Sequence, residues 1–338
     1  MSKKFRGGKI TMNKQVVATG FFILSFLLPL RAMAATFSQL YVFGDSISDT
    51  GNDFNATGGQ VPPSPPYFNG RFSNGQIWVD YLAQDLGLNP SPYTNFAFGG
   101  ATTGSSNTTV PGLPGLQQEI NGFTQAYPTA DPNGLYIVQA GSNDYLGGGV
   151  TDPTVPLANL SNAITSLVGV GARNILVVNV PDLGKLPSAN GDPQLSTNLS
   201  LLSNAHNAGL VQTLDALRPQ LGSDVNLLSL DINSLLNNAI ANPAAYHFTN
   251  VTTACLSVAS CALADQNQQN QYLFWDGFHP TTAGHQYIAD LAYSVVNSEP
   301  SSSVPEPGSA LGVLAFGALG VGSRLKRKHK EASSVKSR

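Results

Sequence analysis

Leu40-Tyr-Val-Phe-Gly-Asp-Ser-Ile-Ser-Asp-Thr-Gly-Asn52 joins a short apolar run to an abrupt polar turn. Leu40 to Phe43 has the character of a buried strand, and Gly44-Asp45-Ser46 stops it. A serine at the carboxyl end of the first strand of an α/β sheet lies where such sheets bind ligands. Ser46 is therefore a candidate nucleophile. A serine hydroxyl is a weak nucleophile at neutral pH unless a base takes its proton. A base, an orienting acid and oxyanion donors are thus expected at the ends of other strands.

Outward from this stretch, β-like runs and helical stretches alternate as far as Val296, which predicts a parallel sheet with helices on both faces. Expected strands cover 40–43, 95–98, 135–139, 174–179 and 225–230, with 272–274 a short last extended piece. Expected helices cover 76–86, 113–126, 155–168, 195–217, 232–241 and 281–296. Ile77, Tyr81 and Leu82 recur at helical spacing in the first of these, and Leu201, Ala205, Ala208 and Val211 in the fourth. Pro219 is expected to end that fourth helix, and Pro280 to open the last one. Residues 58–70, rich in Gly and Pro, read as a surface loop above the first strand. One α/β domain of roughly 260 residues accommodates all of this.

Charge narrows the partners. The chain has a formal net charge of -3, but 13 of its 17 basic residues lie in the two ends. Between Ala35 and Pro307 only Arg71, Arg173, Lys185 and Arg218 oppose 19 acidic residues, a formal charge of -15. Such a body is unsuited to nucleic acid, whose phosphates require clustered Lys and Arg. Two cysteines, Cys255 and Cys261, are read as a disulfide permitted by export, closing a small loop before Asp276.

Three further pieces carry chemistry. Asn95-Phe-Ala-Phe-Gly-Gly-Ala101 ends in two glycines that let backbone N–H groups approach a ligand, and either Gly99 or Gly100 could donate. Gly141-Ser-Asn-Asp144 follows the apolar run 135–140, which puts Asn143 at a strand end with an amide able to donate to an oxyanion. Phe274-Trp-Asp-Gly-Phe-His-Pro-Thr281 places Asp276 and His279 three apart, so that in a turn the carboxylate can hold Nδ1–H and leave Nε2 for the serine. His206, His247, His285 and His329 read as structural. Asp45, Asp49, Asn52 and Asp144 read as a hydrogen-bonding scaffold around Ser46, with no metal and no cofactor assigned. Gly-x-Ser-x-Gly, the α/β-hydrolase elbow, is absent from the sequence, as are P-loop, dinucleotide and His-Glu-x-x-His motifs.

Taken in order, these pieces resemble the GDSL lipase/esterase family of the SGNH hydrolases. The nucleophile block is Gly44-Asp45-Ser46-Ile47, with Ile where the family name has Leu; Gly100, Asn143, Asp276 and His279 supply the other blocks. Arg71-Phe-Ser-Asn-Gly75, with Trp78 beyond it, matches a frequent subgroup pattern. The resemblance covers roughly residues 40–296. It implies a three-layer α/β/α sandwich, a flavodoxin-like SGNH hydrolase fold with a central parallel sheet. It also implies Ser46 as nucleophile, His279 as base and then acid, and Asp276 orienting His279. The oxyanion hole it implies is made of the Ser46 and Gly100 N–H groups and the Asn143 amide, the spacing from Asn95 favouring Gly100 over Gly99. The expected activity is hydrolysis of carboxylic esters through an acyl-serine intermediate, on a small-molecule, lipid or acetylated-glycan substrate. Polysaccharide O-acetyl esterase and phospholipase or acyltransferase are the alternatives within the fold, and a non-catalytic cell-surface or matrix protein is the alternative outside it.

The ends concern export. Basic residues from Lys3 to Lys14, the apolar 16–30 and Ala32-Met33-Ala34 form a secretory signal peptide over 1–34, with Met12 an alternative start. The hydrolase domain is expected over 35–297, a polar linker over 298–303 and a short tail over 331–338. Within 304–330, Val304-Pro-Glu-Pro307 is followed by the small-residue apolar run 309–322 and then by Arg324-Leu-Lys-Arg-Lys-His-Lys330. That order resembles the PEP-CTERM sorting signal of Gram-negative exporters. It implies processing by signal peptidase and an exosortase-type protease, transient membrane association of the C-terminal segment, and an extracellular or cell-surface location. A single membrane anchor with a positive cytoplasmic flank is the plainer alternative.

Overall fold

A computed structural model describes residues 37–88 and 94–298. The leader read over 1–34, the sorting segment and the tail lie outside the described residues, as does nearly all of the linker. Four parallel strands form the central sheet: β1 (Leu40–Gly44), β2 (Leu135–Gln139), β3 (Asn174–Val178) and β4 (Asn226–Leu230), hydrogen-bonded in that order. Their register is even. Leu40 faces Leu135, which faces Asn174 and then Asn226, and at the other end Gly44, Gln139, Val178 and Leu230 stand in line. The expected strand at 95–98 adds two backbone hydrogen bonds to the free side of β1, Phe96 N–H to Val42 O (2.7 Å) and Phe98 N–H to Gly44 O (3.0 Å), without becoming a full ladder. Counted in chain order, that edge piece and β1 to β4 lie 2-1-3-4-5. The crossover therefore reverses direction between β1 and β2, and a ligand crevice is expected outside their carboxyl ends.

The strands alternate between two cores. Leu40, Val42, Leu135, Ile137, Leu176 and Val178 pack on one face against α2 (Trp78–Asp85), reached after the single turn α1 (Asn52–Ala56). Tyr41, Phe43, Tyr136, Val138, Ile175 and Val177 face the other way, toward α3 (Leu116–Ala126). After α4 (Ser142–Leu146) come α5 (Thr154–Gly169) and α6 (Pro193–Leu221) on the α3 side, then α7 (Ile232–Ala241) and α8 (Thr282–Asn297) on the α2 side. Two-residue periodicity in the strands thus divides the apolar side chains between two layers, giving an α/β/α sandwich. Each fully buried aliphatic or aromatic side chain contributes about 1.5–3 kcal/mol. Among the described residues, no helix is long and apolar enough to cross a membrane.

Several expectations are corrected. The extended piece expected at Tyr272–Phe274 forms with those bounds, but outside the main sheet. It is β6 of a separate two-stranded parallel sheet, paired with β5 (Asn250–Ala254). Asn250-Val-Thr-Thr-Ala254 has no apolar run to announce a strand. Helix α6 starts at Pro193, where Asp192 Oδ1 accepts the Gln194 and Leu195 N–H groups, and it passes through Pro219 to Leu221. Pro219 falls in the last turn, where its missing N–H removes a single bond, so the helix tolerates it. The apolar face of α6 is also not the one read from spacing. Leu201, Ala205, Ala208 and Val211 point outward, while Leu199, Ser203, His206, Leu210, Leu214 and Leu217 are buried. Pro280 precedes the first turn of α8 instead of opening it. Cys255 and Cys261 are joined, with Cα atoms 5.3 Å apart, and pack with Trp275.

Candidate active site

Gly44 ends β1 at φ +150°, and a Cβ there would stand 1.9 Å from the carbonyl oxygen of Gln139. Only glycine allows β1 to turn this close to β2. The turn that follows is tied from within: the Ser48 and Asp49 N–H groups donate to Asp45 O, and Ile47 N–H donates to Asp45 Oδ1. Ser48 Oγ donates to Gln139 Oε1 (2.9 Å) and accepts the Trp78 indole N–H (3.1 Å). Asp49 accepts the N–H groups of Gly51, Asn52 and Asp53, and that of Gly99 at 3.0 Å. Asn52 Nδ2 donates to the carbonyls of Asn95 and Ala97, and Asn95 Nδ2 donates to Ser48 O. Asp144 accepts from the Thr103 N–H and hydroxyl. The polar residues around Ser46 are thus the struts of its loop, and Ser46 itself stands at the mouth with 9% of its surface exposed.

His279 Nε2 lies 2.7 Å from Ser46 Oγ, and His279 Nδ1 lies 2.7 Å from Asp276 Oδ2 and 2.9 Å from Oδ1. The three-residue spacing works because the Phe278 and His279 N–H groups both donate to Asp276 Oδ1 at 2.8 Å, folding the turn over its own acid. Trp275 N–H to His279 O and Thr281 N–H to Leu273 O close the turn on β6. Burial works against ionising Asp276, but the charge of His279 and the bonds from His279, Phe278 and Tyr67 outweigh it and hold the carboxyl down at about 2. Burial likewise opposes charging His279, and the Asp276 carboxylate outweighs that and raises its pKa. The pair therefore supplies a base whose imidazolium form is stabilised in place.

On the opposite wall, Asn143 Nδ2 donates one hydrogen to Ala101 O (3.0 Å), which fixes the amide and leaves its second hydrogen for the cavity. Gly99 N–H is committed to Asp49, which separates it from Gly100. Among the described residues, no hydrogen bond engages the Ser46 or Gly100 N–H groups. Ser46, Asn143 and His279 line one cavity of about 270 Å³ with Thr108, Thr109 and an apolar wall of Ile47, Leu146, Leu183, Leu186 and Phe278. Asp276 stands behind His279. Gly100, at φ +80°, is not itself on the cavity wall: Thr109 covers it, and a Cβ at Gly100 would meet Thr109 Oγ1 at 2.4 Å.

Four supporting groups were not read from the sequence. Tyr67 Oη donates to Asp276 Oδ2 at 2.7 Å, from inside the stretch expected to be only a surface loop. The Phe72 ring stacks obliquely on His279, centroids 5.2 Å apart. The buried Glu119 of α3 accepts Gly44 N–H (2.7 Å) and Phe98 N–H (3.3 Å), bridging the nucleophile loop to the double-glycine turn. Gln139 supports Ser48. The Arg71–Gly75 pattern was visible without a role. Here Arg71 pairs with Asp80, Ser73 Oγ donates to Pro280 O, and Asn74 Oδ1 accepts Thr282 N–H, fastening the start of α8. Among the other histidines, His206 accepts or donates at Tyr145 Oη (2.8 Å), and burial lowers its pKa to about 4. Burial lowers that of His285 to about 3. His247 caps a short turn at φ +58°, and His329 lies outside the described residues.

Residues 40–292 match the model of the GDSL-like lipase/acylhydrolase family, and residues 303–328 match the PEP-CTERM protein-sorting motif. An uncharacterized Pseudomonas putida protein of the trpE-trpG intergenic region is 32% identical over 308 residues, covering 79% of this chain and 50% of its own. The phosphatidylcholine-sterol acyltransferase of Aeromonas hydrophila is 28% identical over 334 residues, covering 82% of this chain and 97% of its own. An inactive GDSL esterase/lipase-like protein of Arabidopsis thaliana is also 28% identical, covering 83% and 77% respectively. The chain spans about half the length of the Pseudomonas relative.

Proposed function

The chain is an exported member of the GDSL-like lipase/acylhydrolase family, and we propose that it hydrolyses carboxylic esters with Ser46 as its nucleophile. One observation carries the reading: Ser46 Oγ, His279 and Asp276 stand in one unbroken line of hydrogen bonds of 2.7 Å each. Family membership alone does not supply activity, since the family has inactive members. The intact line argues against a non-catalytic role.

The chemistry follows from the line. His279 Nε2 takes the Ser46 proton as Oγ attacks the ester carbonyl carbon, and Asp276 stabilises the imidazolium that forms. The carbonyl oxygen becomes an oxyanion facing the Asn143 amide and the Ser46 N–H group on the cavity wall, while Gly100, expected as a third donor, is covered by Thr109. Collapse breaks the carbon–oxygen bond to the leaving alcohol, which takes the proton back from His279. Water then attacks the acyl-Ser46 carbonyl and gives its proton to His279; collapse breaks the acyl C–Oγ bond, Oγ takes that proton back from His279, and the acid leaves. The volume of about 270 Å³ and the apolar wall suit an acyl chain of short to medium length.

Purified protein incubated with p-nitrophenyl acetate and butyrate, beside Ser46→Ala, tests the reading. Equal rates for both proteins would sink it. A chain-length series that includes acetylated xylan separates lipid from glycan esters. Acyl transfer to an alcohol is a second reading, favoured by the near-complete coverage of the Aeromonas acyltransferase. It is recognised by ester, not free acid, as product when a sterol is supplied with phosphatidylcholine. For localisation, we read 1–34 as removed by signal peptidase and the C-terminal motif as cut by an exosortase-type protease, leaving residues 35–297 at or beyond the cell surface. A C-terminal peptide from the exported protein that still carries Arg324–Lys330 would overturn this.

A further inference from the structure

We propose that Tyr67 is a positioning residue of the acyl-transfer site, acting through Asp276. The inference rests on the reading of Ser46, His279 and Asp276 as the reacting set. Asp276 accepts bonds from Phe278 N–H, His279 N–H and His279 Nδ1–H, all of which belong to its own turn and move with it. Among the described residues, the Tyr67 hydroxyl is its one donor from elsewhere in the chain, 209 positions away, at 2.7 Å. It satisfies an oxygen that is buried and fixes the plane of the carboxylate relative to the rest of the molecule.

The donor is neutral, and that matters. A cation in its place would compete with the imidazolium for the carboxylate charge. A phenol orients Asp276 and leaves that charge facing His279. Burial and the neighbouring Asp276 push the Tyr67 pKa well above its ordinary value, so the hydroxyl keeps its proton wherever His279 works. The ring is held on two sides, edge-on to Trp275 (6.5 Å) and to Phe72 (6.2 Å), and Phe72 in turn packs on His279. Its backbone is held by Tyr67 N–H to Pro63 O and by Ser64 Oγ to Tyr67 O. A loop that resembles a passive surface excursion therefore sets the orientation of the acid. Tyr67 does not line the cavity, so its effect belongs in turnover and not in substrate binding.

Tyr67→Phe removes the hydroxyl and keeps the ring contacts. Steady-state kinetics on p-nitrophenyl butyrate from pH 5 to 9, with wild type and Ser46→Ala alongside, measures the consequence. The expected result is a kcat lower by about 10- to 100-fold, the range for a bond to a charged group, with KM within about twofold. The acid limb of kcat/KM is expected to move to higher pH, because a carboxylate relieved of one donor holds the imidazolium more strongly. The low-field proton resonance of His279 Nδ1–H should shift as well. Wild-type kcat and an unmoved acid limb overturn the proposal. So does a lower kcat with both the limb and the resonance unmoved, which marks a merely structural residue. A Ser46→Ala protein as active as wild type would instead overturn the underlying site.

Discussion

Asp45 and Asp276 flank the same serine–histidine pair, yet their carboxyls are driven in opposite directions. Burial pushes Asp45 up to about 6, while the donors converging on Asp276 hold it at about 2. The contrast extends to their neighbourhoods. Behind the nucleophile, Asp53 is pushed up to about 8 by burial and by the charge of Asp49, and burial also raises Asp49, Asp144 and Glu119. That region is crowded with acids, and at Asp45 burial outweighs the opposing charge of His279. Beside the base, every lone pair that matters is met by an N–H or O–H. The proposed nucleophile is placed by an acid-rich loop at the end of the main sheet, and the proposed base by a self-folded turn on a small separate sheet. Position is secured in the first case by the Gly44 turn and many polar struts spread over the loop, and in the second by donors converging on one carboxylate.

The largest test of this division removes the partners themselves. Ser46→Ala and His279→Ala should each lower kcat by about 10⁴-fold or more, and the double variant no further, because the two act as a unit. Additive losses in ester hydrolysis would show that the two regions work independently. Asn143→Ala should lower kcat by about 10²- to 10³-fold with little change in KM, the effect of losing one oxyanion donor. The same assay over a substrate titration reads the split.

Stability should tell the two acids apart by sign. Asp45 has a folded pKa raised above its unfolded value of about 3.9, so the folded state holds the extra proton. Its contribution is present below about pH 4 and is lost as pH rises through about 6. Asp276 has a depressed folded pKa, so its contribution is present above about pH 4 and is lost as pH falls through about 2. Asp45→Asn should therefore flatten the decline in melting temperature between pH 4 and 6 and leave the acid transition below pH 4 intact. A steeper decline in the variant would contradict the burial account. The smallest expected effect is at the rim. Cys255→Ser with Cys261→Ser should lower stability by about 2 kcal/mol, as befits a short closed loop, with activity falling only as far as Trp275 loosens. Urea unfolding reads that difference.

Much of this was legible in sequence because it is local. Strands β1 to β3 announce themselves as apolar runs whose alternate residues each face one core, and Ser46, Asn143 and the Asp276–His279 turn follow strand ends by position alone. What escaped is set by distance in the chain. Tyr67 reaches Asp276 across 209 positions, and Glu119 reaches Gly44 across 75, and no spacing rule covers either. Strand β5 was missed because threonines carry it, and the buried face of α6 because exposed Leu201 and Val211, with Ala205 and Ala208, mimic an apolar stripe.

The turn that folds Asp276 over His279 has one more consequence. With its own N–H groups bonded to its own carboxylate, acid and base form a single rigid body, and the sheet fixes the serine as another. The two bodies meet across the 2.7 Å from Oγ to Nε2. Ser73 and Asn74 fasten this turn and the start of α8, so a displacement there changes the spacing across which the proton passes.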